Sequence, residues 1–260
     1  MELGVKGKTA IITGGSKGIG LATALALASE GAQVALVARG MESLSKAAEL
    51  IAEKTGAEAL IIQADVTSEE DVRRAVSQTV ERFGGVHILV NNAGTSAARP
   101  FEEVGADAWD ADLDLKLYGA IHFSRLVVPH MRKNGGGAIV NVTAIGGKAP
   151  SASSLPTSVS RAAGLALTKA MSHDLASSNI RVNAVCIGLI RSDQIERMWQ
   201  SSAPELTWEQ FEVDPKFGIP LGRIGRTEEA AKVISFLVSE AASYVTGTSV
   251  NIDGGKSAVL

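Results

Sequence analysis

Short apolar runs, most of them rich in β-branched residues, alternate with longer segments of helical period along almost the whole chain. The short runs predict seven strands, at Thr9 to Thr13, Gln33 to Ala38, Ala59 to Ala64, His87 to Asn91, Ala138 to Thr143, Arg181 to Ile187 and Ser249 to Ile252. The longer segments predict helices at about Ile19 to Ser29, Glu42 to Lys54, Glu69 to Phe83, Ala106 to Lys133, Thr157 to Ser177 and Thr227 to Ser239. This alternation predicts a doubly wound, Rossmann-type α/β fold, in which helices cover both faces of a parallel sheet.

The whole chain, residues 1 to 260, is predicted to form one domain, because α/β sheets of this kind routinely take about 200 to 250 residues around one core. Residues 191 to 226 interrupt the alternation with a stretch rich in Trp, Pro and charge. We expect a lid-like insertion there, one that caps a site or makes a subunit contact. Trp199 and Trp208 fit an apolar lid over a ligand or packing at a subunit boundary equally well.

Composition narrows the class of partner. Apolar residues make up 45% of the chain, charged residues 20%, and the formal net charge is -3. Without a long basic run we expect neither nucleic acid nor an anionic membrane surface as a partner, and a small-molecule substrate or ligand instead. The single cysteine, Cys186, fits a reducing compartment, and the N-terminal stretch resembles a strand rather than a signal peptide, so the sequence predicts a cytoplasmic protein.

A glycine-rich turn joins the first strand to the first helix in "TAIITGGSKGIGLATALALASEGAQVALVAR". Strand, glycines, helix and second strand follow in register, as in sites where backbone N–H groups and a helix N-terminus approach a pyrophosphate without intervening Cβ atoms. The turn therefore predicts a dinucleotide site. Its predicted cofactor contacts are Gly14, Ser16, Lys17, Gly18, Ile19 and Gly20.

The residue after the second strand indicates which dinucleotide binds. NAD sites place an acid there for the ribose 2′-hydroxyl, whereas a 2′-phosphate requires cations. Here Arg39 follows Ala38, and Lys17 lies in the glycine turn. Both cations are predicted to reach one phosphate, so NADP(H) is favoured over NAD(H). The alternative is that Arg39 only ends the second strand, with its side chain exposed to solvent. Asp65, which precedes Val66 after the third strand, either accepts a hydrogen bond from adenine or caps the helix that begins near Ser68.

Six motifs carry a resemblance to a known family: "TGGSKGIG" at 13–20, "DV" at 65–66, "NNAG" at 91–94, "GGAIVNV" at 136–142, "IRVNAV" at 180–185 and "GTSVNIDGG" at 247–255. In this order they resemble the short-chain dehydrogenase/reductase family. The resemblance implies a seven-stranded Rossmann sheet, a homotetramer or homodimer, and a cofactor across the carboxyl ends of the strands. The further cofactor contacts that it implies are Asn92, Ala93, Gly94, Gly188, Ile190 and Ser192. Ile187 departs from the family pattern, which has proline there.

The same resemblance implies a reaction centre made of Asn, Ser, Tyr and Lys, in which tyrosine protonates the carbonyl oxygen and lysine lowers the tyrosine pKa. In this chain the four positions hold Lys116, Ala144, Thr157 and Arg161, so all four are replaced. The two tyrosines, Tyr118 and Tyr244, are not followed by lysine four residues later.

The replacements change the chemistry that is available. Thr157 is a much weaker acid than a phenol, and Arg161 stays protonated, so that it can hold the nicotinamide ribose but cannot relay a proton. Lys116 is predicted to project toward Arg161, whose like charge would lower the Lys116 pKa and suit it to act as acid, base or Schiff-base nucleophile; it is otherwise a surface lysine. Thr143, one residue before the serine position, and the serines between 151 and 160 supply further hydroxyls that can bind a substrate oxygen. No residue cluster has metal-ligand spacing, and we expect no metal site.

Three functions fit these residues. The first is an NADP(H)-dependent oxidoreductase that reduces a carbonyl or imine with an atypical proton donor. The second is a non-redox lyase, isomerase or cyclase on the same scaffold, and the third is a catalytically silent NADP-binding sensor or partner subunit. Replacement of the four residues by engineering or by recent drift is a further alternative.

Overall fold

The computed structural model describes residues 2–260, which contain a seven-stranded, wholly parallel sheet. The strands are β1 (Thr9–Thr13), β2 (Gln33–Ala38), β3 (Leu60–Gln63), β4 (Ile88–Asn91), β5 (Gly137–Ala144), β6 (Ile180–Ile187) and β7 (Ser249–Ile252). Their order across the sheet is β3-β2-β1-β4-β5-β6-β7. The doubly wound, Rossmann-type fold predicted from the sequence is confirmed.

Helices cover both faces of the sheet. They are α1 (Gly18–Ser29), α2 (Met41–Thr55), α3 (Glu69–Phe83), α4 (Ala106–Leu113), α5 (Gly119–Lys133), α6 (Thr157–Asp174), α7 (Asp193–Ser202), α8 (Trp208–Phe211) and α9 (Thr227–Val238). One apolar core lies under α1, α2 and α9, and a second lies under α3, α5 and the end of α6. All five residues of β1 are buried, as expected for a strand covered on both faces.

The structure corrects the sequence prediction in the long helix from Ala106 to Lys133. This segment is not one regular helix: α4 ends at Leu113, a π-helical turn runs over Asp114–Tyr118, and α5 continues from Gly119. The wider turn directs Lys116 inward, and Lys116 is the residue of this turn that is buried. π-Turns inside α-helices are frequent at functional sites.

One helix end also differs from the prediction. The helix that begins at Thr157 ends at Asp174, and a short 3-10 turn, Ala176–Ser178, follows it. The insertion at 191–226 contains α7 and α8 and has its own small apolar cluster around Phe211. Within residues 2–260 no helix is long and apolar enough to cross a membrane.

The strand order reverses between β1 and β4, which lie side by side at the middle of the sheet. The chain leaves β1 towards β2 on one side, whereas β4 leads to β5 on the other. In open α/β sheets, ligands bind in the crevice outside the carboxyl ends of the strands at such a switch point. The glycine turn after β1 and the segment after β4 therefore flank the candidate site.

Candidate active site

The glycine turn between β1 and α1 is tightly folded against the segment that follows β4. A Cβ atom on Gly20 would collide with the Gly14 carbonyl oxygen and would lie 2.6 Å from Asn92 Nδ2. No side chain forms a capping hydrogen bond at the N-terminus of α1. The first backbone N–H groups of the helix, which have no partner within the helix, can therefore donate to an anion. This cradle fits a phosphate group on the geometry of its backbone alone.

A cleft of about 300 Å³ opens beside this turn, at the ends of β2 and β3. Among its lining residues are several predicted cofactor contacts, namely Gly14, Ser16, Arg39, Asp65, Val66, Ala93 and Gly94. No acidic side chain follows β2 directly, and the exposed Arg39 side chain has no ion-pair or hydrogen-bond partner among residues 2–260. The cleft can therefore accept an anionic nucleotide group beside Arg39.

Lys17 differs from its predicted arrangement with Arg39. Its ammonium pairs with Asp193 at the start of α7, with an Nζ to Oδ2 distance of 3.0 Å, and both side chains are exposed. Lys17 is thus directed towards the insertion and is not among the residues that line the 300 Å³ cleft. To reach a phosphate in that cleft, Lys17 must exchange a surface ion pair, which contributes about 0–1 kcal/mol.

Asp65 lies in the cleft but does not cap α3. Its Oδ1 accepts hydrogen bonds from the Thr67 backbone N–H at 3.0 Å and from the Thr67 hydroxyl at 2.9 Å. Ser68 is the N-cap of α3 and accepts from the Asp71 N–H at 3.3 Å. The alternative that Asp65 caps this helix is therefore wrong, whereas adenine contact stays a prediction.

The "NNAG" segment ties β4 to the glycine turn. Asn92 Nδ2 donates to the carbonyl oxygens of Thr13 and Gly14, at 3.0 and 3.2 Å. The Thr13 hydroxyl accepts from the backbone N–H groups of Asn92 and Ala93, at 2.9 and 3.0 Å. The side chain of Asn92 thus holds the floor of the cleft, and Ala93 and Gly94 form its wall.

The remaining predicted cofactor residues are spread around this cleft. Gly18 and Ser192 line a neighbouring groove of about 650 Å³, and Ile19 packs against the apolar core. Ser192 also caps α7 by accepting from the Ile195 N–H. Gly188 packs against Asp253, and Ile190 is buried. Gly188 and Ile190 line neither the cleft nor the groove.

Lys116 is the centre of a buried polar cluster. Its ammonium forms an ion pair with Asp112 and donates to the Thr157 hydroxyl at 3.1 Å. The second oxygen of Asp112 accepts from the Ser160 hydroxyl at 2.6 Å, and the Ala97 backbone N–H donates to the Thr157 hydroxyl at 2.9 Å. The alternative of a surface lysine is wrong, because the side chain of Lys116 is only 1% exposed.

Asp112 and Ser160 were missed in the sequence. The only sequence feature that distinguishes Asp112 is its position four residues before Lys116, where side chains on a helix meet. Ser160 belongs to the serine-rich run around the start of α6, where several hydroxyls are equally plausible from sequence. Packing of α6 against α4 selects Ser160.

Arg161 lies next to Lys116 and is directed at the cleft wall. Its Nη1 donates to the Val142 carbonyl at 2.7 Å, while its Nε is buried without a hydrogen-bond partner among the described residues. A Cβ on Gly94 would lie 3.0 Å from Arg161 Nη2 and 3.4 Å from Lys116 Cγ. Glycine at position 94 therefore lets both cationic side chains approach the cleft.

The electrostatics of this cluster are unbalanced. The pKa of Lys116 lies below its ordinary value, chiefly because of burial; the hydrogen bond to Asp112 opposes this shift, the charge of Arg161 adds to it, and the charge of Asp112 also opposes it. Burial also lowers the pKa of Arg161, although a guanidinium stays charged in proteins. Within residues 2–260 Arg161 forms no ion pair with an acid, so two cations share the single carboxylate of Asp112.

A cavity of about 20 Å³ lies against this cluster and is lined by Asn91, Lys116, Ser160 and Arg161 among others. Two of the buried polar atoms that lack a protein partner, Asn91 Oδ1 and Arg161 Nε, belong to its lining residues. This volume suits one water molecule with several polar neighbours.

The other candidate hydroxyls do not reach the cluster. Ala144 ends β5 and brings no polar side chain. Thr143 is buried, and its hydroxyl donates to the Val185 carbonyl at 3.0 Å, so the hypothesis that it binds a substrate oxygen is not supported. Cys186 is buried 3.2 Å from the same hydroxyl. Among residues 2–260 no three His, Cys, Asp or Glu side chains form a group that could hold a metal ion.

The two indoles of the insertion pack on one another rather than over the cleft. Trp199 and Trp208 stack edge to face, with centroids 5.7 Å apart, beside Phe211. The segment contacts the site through Asp193 and through Gln194, whose Oε1 accepts from the Ser96 N–H at 3.1 Å. Its role as a lid stays a prediction.

Comparison with known proteins gives a consistent result. A family model described as enoyl-(acyl carrier protein) reductase matches residues 14–257. The 3-oxoacyl-[acyl-carrier-protein] reductase of Thermotoga maritima is 36% identical over 254 residues, which are 96% of this chain and 98% of that protein. Among solved structures, L-sorbose reductase from Gluconobacter frateurii in complex with NADPH and L-sorbose has a TM-score of 0.93 at 34% identity and covers both chains fully.

A further solved structure is a short-chain oxidoreductase from Pseudomonas aeruginosa, which is described as containing an atypical catalytic centre. Its apo form has a TM-score of 0.95 at 34% identity and covers 99% of this chain and 100% of that one. Its NADPH-bound form has a TM-score of 0.93.

Proposed function

The chain belongs to the short-chain dehydrogenase/reductase family of oxidoreductases, and on that premise we propose that it is an NADP(H)-dependent carbonyl reductase in which the Thr157 hydroxyl delivers the proton. The observation that carries the proposal is the hydrogen-bonding of Thr157. Its oxygen accepts from the Lys116 ammonium and from the Ala97 N–H, so its own hydrogen remains for a third partner.

The cofactor part of this proposal rests on Arg39 and the cleft beside it. Arg39 offers a guanidinium to a 2′-phosphate, and no acid stands after β2 to repel it. The Gluconobacter and Pseudomonas proteins are described in complex with NADPH, which supports the same cofactor here. Arg161, beside Gly94, is suited to hold the nicotinamide ribose.

A bound reduced nicotinamide would supply a hydride to the carbonyl carbon. As charge develops on the carbonyl oxygen, the Thr157 hydroxyl donates its proton to it, and the Lys116 ammonium passes a proton to Thr157. An unassisted aliphatic hydroxyl is a poor acid, but the adjacent ammonium stabilises the alkoxide character that forms. Lys116 is left neutral beside Asp112 and regains its proton before the next turnover.

This centre differs from the one that the family resemblance implies. Lys116, Ala144, Thr157 and Arg161 take the positions of Asn, Ser, Tyr and Lys in that pattern. The ammonium next to the hydroxyl therefore comes from the π-turn before α5 rather than from α6, and the residue on α6 is a guanidinium that does not exchange its proton. We propose that Lys116 takes the role of the family's lysine beside the proton-donating hydroxyl, whereas Arg161, at the position of that lysine, keeps only the contact with the cofactor.

The charge of the cluster favours a carbonyl over an iminium substrate. Two cations, Lys116 and Arg161, face one carboxylate, Asp112, so the net charge is positive. A positive site stabilises an oxygen that becomes negative and repels a substrate that is already cationic. The ion pair also disfavours Lys116 as a Schiff-base nucleophile, because that reaction requires the neutral amine.

Two measurements test this function. Fluorescence titration with NADPH and NADH is expected to show tighter binding of NADPH, and failure to bind either nucleotide would remove the proposal. NADPH consumption is then followed with a panel of ketones, keto sugars and cyclic imines. Reduction of a carbonyl compound is the expected result. Tight NADPH binding without turnover on the whole panel would favour a silent sensor, and turnover of imines alone would contradict the charge argument.

Assembly and location stay predictions. The family resemblance supports a homotetramer or homodimer, which light scattering coupled to size-exclusion chromatography measures directly. The prediction of a cytoplasmic protein rests on composition and on the single cysteine, Cys186.

A further inference from the structure

We propose that Asp112 is the positioning residue of this reaction centre: its carboxylate holds the Lys116 ammonium as a hydrogen-bond donor to Thr157, and this fixes the direction in which the Thr157 hydroxyl donates. The inference rests on the proposed function, because it concerns the same reaction. It adds a residue whose position in the chain is outside the four that the family resemblance points to.

Asp112 is buried, and both of its carboxylate oxygens are bound by other side chains. Asp112 is 4% exposed, and each of its two oxygens has a partner: one binds Lys116 and the other accepts from Ser160 at 2.6 Å. Asp112 and Lys116 form an ion pair in which neither side chain is more than 3% exposed. Burying such a pair costs solvation energy, and a hydrophobic pair of the same size is often no less stable. Stability alone therefore does not account for it.

Asp112 also joins the elements that carry the reaction centre. It lies on α4, Lys116 lies on the π-turn that follows, and Ser160 and Thr157 lie on the first turn of α6. The bonds from Ser160 to Asp112, from Lys116 to Asp112 and from Lys116 to Thr157 make one continuous path between the two helices. The Lys116 ammonium is thus held by Asp112 on α4 and by Thr157 on α6.

The charge on Lys116 decides which way the Thr157 hydroxyl points. A protonated Lys116 has only N–H donors, so Thr157 must accept from it and keeps its own hydrogen for a further acceptor. A neutral amine has a free lone pair, and Thr157 would then donate into it. The hydroxyl would turn away from the substrate, and the proton path would run in the wrong direction.

Asp112 is the group that opposes the loss of this charge. The charged groups that act on Lys116 are Asp112 from α4 and Arg161 from α6, and burial and Arg161 both favour the neutral amine. Asp112 and the buried Cys186 on β6 in turn act to raise the pKa of Arg161, against the larger lowering by burial. Replacement of Asp112 by a neutral residue therefore leaves Lys116 buried beside a guanidinium without a counterion.

The first test compares Asp112→Asn with Asp114→Asn, an exposed acid two residues away that makes no ion pair among the described residues. Reduction of the best carbonyl substrate is measured with NADPH between pH 5.5 and 9.5. Because the reaction needs protonated Lys116, activity falls as pH rises through the Lys116 pKa. In Asp112→Asn we expect kcat at neutral pH to fall by about 100-fold, and the high-pH limb to move down by about 1–3 pH units.

Three readouts separate positioning from a merely structural role. The affinity for NADPH and the unfolding cooperativity should change little in Asp112→Asn. The conservative variant Asp112→Glu should recover part of kcat and return the pH limb towards that of the unaltered protein. Asp114→Asn should match the unaltered protein in every respect. Equal pH profiles for the two Asn variants would overturn the proposal.

The second test needs neither cofactor nor turnover, so it distinguishes failure of this inference from failure of the proposed function. Lysine labelled with ¹³C at Cε reports the protonation of Lys116, whose signal is assigned by its loss in Lys116→Arg. In the unaltered protein we expect a charged Lys116 at neutral pH. As pH is raised, we expect Lys116 in Asp112→Asn to lose its proton at a lower pH than in the unaltered protein. If that variant does not fold, a neutral Lys116 in the unaltered protein at neutral pH would by itself refute the role of Asp112.

Discussion

Removing Lys116 while keeping its shape is the most direct perturbation of the buried cluster. Lys116→Met replaces the ammonium with an apolar side chain of similar length and leaves the Asp112 carboxylate in place. That carboxylate is 4% exposed and keeps only the hydroxyl of Ser160 as a partner. An uncompensated buried charge is among the few single changes that destabilise a protein severely.

The expected loss in the free energy of unfolding is about 3–5 kcal/mol, the usual cost of breaking a buried ion pair from one side. For a chain of this size that corresponds to a fall in Tm of roughly 6–20 °C.

A double-mutant cycle measures how much of this loss belongs to the pair. Urea unfolding is followed by tryptophan fluorescence and circular dichroism for Lys116→Met, Asp112→Leu and the two together. The double variant should regain most of the stability, since Ser160 retains the Thr157 carbonyl as an acceptor. The matched control is Lys46→Met, which breaks an exposed ion pair and should cost about 0.5 kcal/mol or less. A Lys116→Met variant that loses no more than the control would refute a buried ion pair.

Three further changes test the cleft and the insertion. Arg39→Glu should weaken NADPH binding by about 10- to 100-fold and NADH binding little, as measured by fluorescence titration. Gly20→Ala should cost about 1–3 kcal/mol in urea unfolding and lose NADPH affinity, because its Cβ would meet the Gly14 carbonyl. Hydrogen bonding to Arg223 lowers the pKa of Glu229 from 4.5 to about 2. Glu229→Gln should therefore lose about 1 kcal/mol after solvent screening, with the loss fully present above pH 4.5 and vanishing towards pH 2 in acid titrations of stability.

Matched controls accompany these three variants. Lys54→Glu reverses an exposed charge at the far end of α2 and should leave both nucleotide affinities unchanged. Gly105→Ala adds a Cβ that meets no atom within 4 Å and should keep NADPH binding. Glu228→Gln neutralises the exposed neighbour of Glu229 and should unfold in urea like the unaltered protein. Equal effects in a variant and its control would contradict the corresponding argument.

The fold could be predicted from sequence because it depends on local patterns. The run Thr9–Thr13 holds three apolar residues between two threonines and is followed at once by the glycine turn, so the strand follows from the sequence, whereas its place in the sheet is seen only in the structure. The π-turn at Asp114–Tyr118 could not be predicted in this way, since its residues have ordinary helical character. What sets it is packing against the neighbouring elements.

The reaction centre was only half visible in the sequence for the same reason. Lys116 and Thr157 stand at positions that the family resemblance points to. Three acids precede Lys116 in "WDADLDLK", and apart from the spacing of four residues only burial and the contact with Ser160 on α6 distinguish Asp112 from the exposed Asp110 and Asp114. Lys17 pairs with Asp193, which lies 176 residues further along the chain, and no local pattern reports such a contact. Long-range packing therefore accounts for the residues that were missed.

Thr157→Val removes the hydroxyl that is proposed to deliver the proton and keeps the β-branched shape. The decisive measurement is the single-turnover rate of NADPH oxidation by stopped flow, with the best carbonyl substrate at saturation, for the unaltered protein, Thr157→Val and Thr157→Ser. We expect Thr157→Val to be slower by about 100-fold or more, with unchanged NADPH affinity, and Thr157→Ser to retain most of the rate. A Thr157→Val variant that reduces the carbonyl at the unaltered rate would contradict the proposed reaction centre.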